Sequence, residues 1–589
     1  MNTVQYTDVN PFRLPNLGWL VTEVSERLLG LRKLSEEYIK RPASARQQGA
    51  PFLEYALKAL EVNLDVQSQH SLKDIPTEGP VLFVANHPLG GLEGLALAHI
   101  LLKVRPDLKV LTNEMLRRVP ELADLFIGVD VLSGNGVKKN AKGLRNAHKH
   151  LNGGGALLIF PAGMVSSYQF ESKRIEDRPW NRIAGQLARR QNATCVPILV
   201  DGRNSALFYA AGLIHRRLRT VLLARELANK KGKRLGLYFG EPIPPNELQH
   251  LKGDQEITHY LRMATELIKT ERASPPKRRE VMPISQPVCN EVLDQAVKQL
   301  NDCLLLSQNE FDVYCAPYQR LGPIMEQIGV AREKTFRAAG EGTGNARDID
   351  DYDRYYWHLF IWDKQKKTVV GGYRVGKVDE VIRHKGLQGL YSRSLYMYES
   401  AFISRLGKSL EMGRSFIVPE YQRRPVTLDL LWRGIGAIIN QNPEYHTLFG
   451  PVSVSGEYSN VARALMADSL LENFAVDESY ANQVKPIRPH KFNEKVWTTE
   501  MLRSLSNIKA LNKLIGRCDP GKAVPVMLRH YLSLNGRFAC FHVDPEFNNT
   551  LAGLVIVDIR NTPKKYLKRY LEKEGAAKFI ATHGLPEAI

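Results

Sequence analysis

Long apolar runs are missing from this 589-residue chain: none approaches the roughly twenty residues that a helix needs to cross a bilayer. A helical membrane span is thereby excluded, and any membrane contact is expected to be peripheral. Cysteine is also scarce. The six present, Cys195, Cys289, Cys303, Cys315, Cys518 and Cys540, form no Cys-x-x-Cys pair and read as reduced, mostly buried thiols. The opening stretch Met1–Asp8 has no basic run leading into an apolar one, so no secretory signal is expected. The expected location is cytoplasmic, peripheral on the inner face of the cytoplasmic membrane. Acidic residues are in short supply: 62 Asp and Glu against 81 Lys and Arg leave a formal charge of +19. Such a balance suits nucleic acid, an anionic membrane surface or an acidic protein. Nucleic acid drops out for want of zinc-ligand spacing, RNA-binding aromatics or a helix-turn-helix.

The length exceeds one ordinary core and predicts two α/β domains. The stretch Arg272-Ala-Ser-Pro-Pro-Lys-Arg-Arg-Glu, continuing to Pro287, is rich in proline and charge without apolar period, and reads as a linker. The expected domains are therefore 1–271 and 289–589, joined by 272–288. Before the linker, strands alternate with helical segments, as in a sheet flanked by helices. After it come aromatic, strand-like runs such as Trp357–Trp362 and Thr368–Val375, joined by the hairpin-like turn at Asp363, so antiparallel pairing is expected.

In the first half, the apolar strand from Val81 ends in Asn86-His87-Pro88-Leu89-Gly90-Gly91-Leu92-Glu93. A strand end delivers an imidazole to the rim of a sheet, glycines let the loop fold back, and Glu93 can fix the ring's second nitrogen; that arrangement suits a general base. Ala156–Phe160 reads as a second buried strand, leading into Pro161-Ala162-Gly163, and Cys195–Val200 as a third. Ligands sit at the carboxyl ends of strands in open α/β sheets, so these tips are expected to converge.

Those three signatures, in this order, resemble the glycerolipid acyltransferase family. The resemblance implies a sheet flanked by helices, His87 as base on a lipid hydroxyl, Glu93 as its acid, and Asn86, Phe160, Pro161 and Gly163 beside the substrate, with an acyl thioester as donor. Two departures are visible. The family's His-x4-Asp is His-x5-Glu here, with Leu at position 92, and its Phe-Pro-Glu-Gly is Phe160-Pro161-Ala162-Gly163, without the carboxylate assigned to glycerol phosphate. An acceptor that lacks glycerol phosphate is expected.

The second half carries Arg332, Phe336 and Arg337, the acidic loop Arg347-Asp348-Ile349-Asp350-Asp351-Tyr352-Asp353, strands bearing His358 and Arg374, and Glu411-Met412-Gly413-Arg414. This order resembles the N-acyl homoserine lactone synthase branch of the Gcn5-related N-acyltransferases, which implies a mixed sheet with helices and an acceptor site formed by Arg332, Phe336, Asp348, Asp353, Arg374 and Arg414. An amine must lose a proton to attack a thioester, and Glu411 is the expected acceptor of that proton. Arg423 and Arg424, at a strand-to-helix turn, are candidates for the phosphate of a phosphopantetheine arm. The Gly-rich pyrophosphate loop of the wider superfamily is absent.

Residues 521–548 resemble the closing segment of the hemolysin-like acyltransferases. The whole arrangement resembles the bifunctional ornithine lipid synthases. It implies N-acylation of ornithine by the second domain, with acyl carrier protein as donor of a 3-hydroxyacyl chain, and O-acylation of the lyso-lipid by the first, with carrier protein or acyl-CoA as donor. Glycine or lysine in place of ornithine is the alternative amino acid, a lysophospholipid acyltransferase is the alternative enzyme, and a membrane-bound regulatory protein is the alternative outside catalysis. No bound cofactor or metal is required. For the expected anionic membrane surface two segments are candidates: the helical pattern from Leu17 to Tyr38, which equally suits core packing, and Ala206–Ile214 with the basic collar His215–Arg219.

Overall fold

The computed structural model describes residues 10–12, 19–68, 72–129, 136–269 and 281–586. Leu17 and residues 272–280 of the expected linker lie outside them. The chain forms two compact units, Met1–Glu271 with Val496–Cys518, and Arg272–Lys495 with Asp519–Ile589.

The first unit holds a seven-stranded sheet of β1 (Asn63–Ser68), β2 (Val81–Ala85), β3 (Lys109–Asn113), β4 (Phe126–Val129), β5 (Ala156–Ile159), β8 (Thr194–Asp201) and β9 (Arg234–Phe239), with a separate hairpin of β6 (Ser167–Gln169) and β7 (Arg174–Glu176). The spatial order is β1-β9-β8-β2-β5-β3-β4, parallel throughout except for β8 against β9. Every side chain of β2 and β5 is buried. A strand covered on both faces has no solvent side, so it reads as a continuous apolar run rather than an alternating one. Helices Gly136–Asn152 and Asp254–Glu266 pack against β5 and β8. The parallel trio β5-β2-β8 brings the ends of the three expected strands to one edge, with Val84 opposite Ile159 and Ala85 opposite Ile198.

Val496–Cys518, which the sequence places in the second domain, belongs to the first unit. Leu511, Leu514 and Ile515 of helix Ile508–Cys518 are fully buried, and Arg517 grips Glu247 through both Nε and Nη2 at 2.9 Å. Of the two candidate membrane segments, the first buries Leu34 and Tyr38 in the core, whereas helix Ala206–Ile214 leaves Leu207, Leu213 and Ile214 exposed. Among the described residues no helix is long and apolar enough to cross a membrane.

The second unit is a mixed eight-stranded sheet: β10 (Leu304–Gln308), β11 (Phe311–Pro317), β12 (Trp357–Asp363), β13 (Thr368–Lys377), β15 (Ser409–Ile417), β16 (Thr447–Val454), β19 (Thr550–Asp558) and β18 (Arg537–Asp544), in that spatial order. A small pair joins β14 (Tyr396–Tyr398) to β17 (Val484–Pro486). All neighbours in the large sheet are antiparallel except β15 and β16, which helix Pro425–Gln441 connects. These two pair over only three rungs, Ser409–Thr447, Leu410–Leu448 and Glu411–Phe449, and then part. The fork places the second half of β15 and the end of β16 on either side of an opening in mid-sheet.

Candidate active sites

In the first unit His87 stands just past the end of β2, with Nδ1 2.9 Å from Oε1 of the fully buried Glu93. The same oxygen accepts the main-chain N–H groups of Leu89 at 2.9 Å and Gly90 at 2.8 Å. Glu93 lies in the first turn of helix Gly91–Leu101, where the helix dipole favours a carboxylate. Burial pushes the imidazole pKa down, but the bond to Glu93 and the charges of Glu93 and Asp177 outweigh it, and the net shift is upward. A carboxylate at Nδ1 fixes the tautomer that presents Nε2 as the proton acceptor.

The flanking loops are fastened by Asp177, a residue the sequence did not single out. Its carboxylate accepts the main-chain N–H of His87 at 3.2 Å, the Ser166 hydroxyl at 2.5 Å and the Trp180 indole N–H at 3.0 Å. Burial raises its pKa, against the pull of these donors and of His87. Phe160 lies over the His87 ring with centroids 4.6 Å apart. Pro161 accepts the N–H of Asn181 through its carbonyl at 2.9 Å, and Gly163 closes the turn at φ +65° with its N–H on the Phe160 carbonyl. Asn86, expected beside the substrate, instead ties β2 to β8: its Nδ2 donates to the Val200 carbonyl at 3.0 Å and its Oδ1 accepts the Val200 N–H at 2.7 Å. Both ends of the carboxamide are thus engaged with the neighbouring strand.

In the second unit the expected acceptor-site residues come together from helix Pro323–Ala338, the loop after it and the adjacent strands β12, β13 and β15. Arg332 pairs with Asp353 at 2.8 Å, Arg374 with Asp350 at 2.5 Å and Asp353 at 3.3 Å, and Arg414 with Asp348 at 2.9 Å and Asp350 at 3.3 Å. Three guanidinium groups therefore face three carboxylates, which is how a buried charge cluster avoids an uncompensated ion. Asp353, though buried, is held far below the usual carboxylate range by Arg332 and Arg374, while burial raises Asp348 against the pull of Arg414. His358 sits among them, pushed down to about 4 by burial and Arg332, and neutral at physiological pH. Its Nε2 lies 2.9 Å from the Asp353 carbonyl and its Nδ1 3.3 Å from the Arg332 guanidinium. Arg414 adopts φ +50° where the β13–β15 register shifts, a bulge that turns its side chain to Asp348 and to the Tyr391 hydroxyl at 2.8 Å. Phe336 packs edge-on against Phe547, over whose ring the Arg414 guanidinium also lies.

Glu411, the expected proton acceptor, is buried with both oxygens engaged. It accepts the main-chain N–H groups of Tyr391 at 3.0 Å and Ser392 at 2.7 Å, and the Tyr356 hydroxyl. Arg423 and Arg424 are exposed just ahead of helix Pro425–Gln441; Arg424 reaches Glu310 at 3.4 Å, and no ion pair of Arg423 is seen among the described residues. A carboxylate that sequence reasoning missed stands at the fork. Glu341 accepts the hydroxyl of Ser453, on the part of β16 that has left β15, at 2.9 Å, and burial pushes its pKa up to about 7. It follows the close of helix Pro323–Ala338 in the glycine-rich stretch Gly340-Glu341-Gly342-Thr343-Gly344, which signals a loop and nothing more.

Comparison with known proteins finds a match in each half. Residues 46–274 match the family described as Acyltransferase, and residues 331–433 the Acetyltransferase (GNAT) domain. The chain is 28% identical over 272 residues to the glycine N(alpha)-acyltransferase of Phocaeicola vulgatus, covering 44% of this chain and 82% of that relative. It is 30% identical over 212 residues to the lyso-glycine lipid O-acyltransferase of the same organism, covering 34% of this chain and 71% of that relative. Among solved structures, the 1-acyl-sn-glycerophosphate acyltransferase of Thermotoga maritima matches at 16% identity with a TM-score of 0.26, over 43% of this chain and 91% of that one.

Proposed function

Because the chain belongs to the acyltransferases and joins an acyltransferase domain to a GNAT domain, we propose that it makes a doubly acylated amino-acid lipid in two steps. The second unit N-acylates an amino acid with a 3-hydroxyacyl chain, and the first then esterifies the 3-hydroxyl. The observation that supports this reading is that one chain holds two chemically different clusters: a His–Glu pair suited to a hydroxyl, and an Arg–Asp cluster beside a strand fork suited to an amine.

In the N-acyl step the free amine attacks the thioester carbonyl, the C–N bond forms, and the thiolate leaves. The amine's surplus proton goes to Glu341 at the fork. Glu411, with its oxygens filled, keeps Tyr356 and the 391–392 turn in place rather than receiving that proton directly. The donor is acyl carrier protein, whose acidic surface complements the net basic charge, and its phosphopantetheine phosphate is met by Arg423 and Arg424. In the O-acyl step His87 Nε2 takes the proton of the 3-hydroxyl as its oxygen attacks the second thioester, and the imidazolium returns that proton to the departing thiolate. Carrier protein or acyl-CoA serves as donor here. The protein works at the inner face of the cytoplasmic membrane, drawn to its anionic surface.

Ornithine is the amino acid that the ordered motifs favour. Glycine is the second reading, and one structural observation supports it: each of Asp348, Asp350 and Asp353 already faces an arginine, leaving none of the three free for a side-chain ammonium. The relatives named for glycine point the same way. The test is expression in a host without amino-acid lipids, followed by mass spectrometry of the polar lipids. A diacylated ornithine or glycine lipid is expected; an unchanged lipid profile, with the protein folded and abundant, would refute the proposal.

A further inference from the structure

Two arginines flank the His87 loop without any carboxylate to meet them. Arg219, on helix Arg216–Ala228, is only 5% exposed, yet no ion pair or hydrogen bond to it is present among the described residues. Its side chain runs along helix Ala206–Ile214, approaching Gly212, on the same side as Tyr209, whose hydroxyl accepts the Asn204 N–H. Asn204 in turn donates to the carbonyls of Pro88 and Leu89, the residues that follow His87. From the other side comes Arg178, next to Asp177, with its guanidinium 3.7 Å from the Met164 sulfur in the turn after Phe160. Arg178 is close enough to Arg219 to depress its pKa further, after burial. The Arg219 guanidinium, at the rim of its helix pair, has no counter-charge among the described residues, and a second cation beside it strengthens the local positive field. Such a pair is suited to take an anion from outside the chain.

We infer that Arg178 and Arg219 form an oxyanion subsite of the His87 centre, and that it takes the carboxylate of the N-acylated amino acid. The inference rests on the two-step reading above and deepens it. Once the amine has become an amide, the carboxylate is the one charge that every such acceptor carries, whether built on glycine or ornithine. Holding it fixes the headgroup, so that the 3-hydroxyl on the acyl chain is offered to His87. The subsite also accounts for Ala162: an acceptor anchored through these two arginines makes no use of a group at that position meant for glycerol phosphate.

The full-length protein in detergent is assayed for O-acylation of N-(3-hydroxyacyl)glycine and of the same compound with its carboxylate converted to a carboxamide. Two charge-assisted hydrogen bonds are worth roughly tenfold or more in affinity. The carboxamide is expected to show KM about tenfold higher with kcat little changed. Arg219→Gln and Arg178→Gln should raise KM for the carboxylate by a similar factor and leave the carboxamide nearly unaffected, and Arg219→Lys should recover part of the loss. Equal KM for both acceptors in the unaltered protein overturns the subsite, and that comparison needs no variant to fold. A rise in KM for the acyl donor instead would assign the arginines to the donor's phosphate and likewise overturn it. Calorimetric binding of the two acceptors without their 3-hydroxyl separates this inference from the function itself. Carboxylate-selective binding without turnover would sustain the subsite while striking down the O-acyl step, and turnover without selectivity would do the reverse.

Discussion

Glu93 reaches Nδ1 of His87 at 2.9 Å although it stands one place later than the acid of the His-x4-Asp pattern. Between them Gly90 turns the loop at a φ of +109°, a conformation that favours glycine, and a Cβ there would come within 2.8 Å of Leu223. The displaced carboxylate is therefore in contact with the base rather than removed from it.

Replacing the base follows directly. His87→Ala should slow O-acylation by roughly 10²–10⁴-fold while N-acylation continues, so mono-acylated lipid accumulates. Quantitative lipid mass spectrometry of cells expressing the variant checks this; wild-type amounts of diacylated product would remove His87 from the reaction.

The pH dependence of the same step is set by Glu93. The raised pKa of His87 means that the neutral imidazole, and with it activity, appears only as pH rises through that elevated value. Glu93→Gln removes the largest upward influence, so the acid limb of the kcat/KM profile should move to lower pH while the maximum rate falls. The same raised pKa contributes folding stability that is present below the unfolded value and lost as pH climbs through the folded one.

At the fork, Glu341→Gln should reduce N-acylation by about 10²-fold or more and abolish the limb that rises through pH 7 in the parent protein. Glu411→Gln should act differently, lowering thermal stability by releasing the 391–392 turn. A rate-against-pH series on both variants separates the roles, and an unshifted profile for Glu341→Gln would return the proton to Glu411.

Arg374 is fully buried and shared by Asp350 and Asp353. Arg374→Met should destabilise the second unit by about 3–5 kcal/mol, because both carboxylates lose their common partner. Urea unfolding followed by tryptophan fluorescence reads the loss, and a change below about 1 kcal/mol would show that the cluster is hydrated rather than mutually compensated.

Much of this was legible because it is local or ordered along the chain. The β2 run is continuous and apolar since both faces are covered, and His87 and Glu93 are joined by one short loop into the helix start. The Arg–Asp cluster is spread from Arg332 to Arg414, but its members follow in a recognisable sequence. Asp177 was not legible: it meets His87 across 90 positions and belongs to no motif. Glu341 was hidden for another reason, since a lone acid among glycines shows neither its half-buried place at the fork nor its bond to Ser453. The Asn86 tie to Val200 was not legible, because strand-end polarity does not distinguish a group facing a ligand from one facing the next strand.

The return of Val496–Cys518 to the first unit bears on how the polypeptide can be divided. A single cut near residue 272 does not yield two self-sufficient halves: the leading fragment would lack the helix that buries Leu511, Leu514 and Ile515 against it, and the trailing fragment would carry that apolar helix without its seat. Separating the two activities as independent proteins therefore calls for transplanting that helix as well, and a gene split at the linker alone would give an insoluble or degraded leading piece.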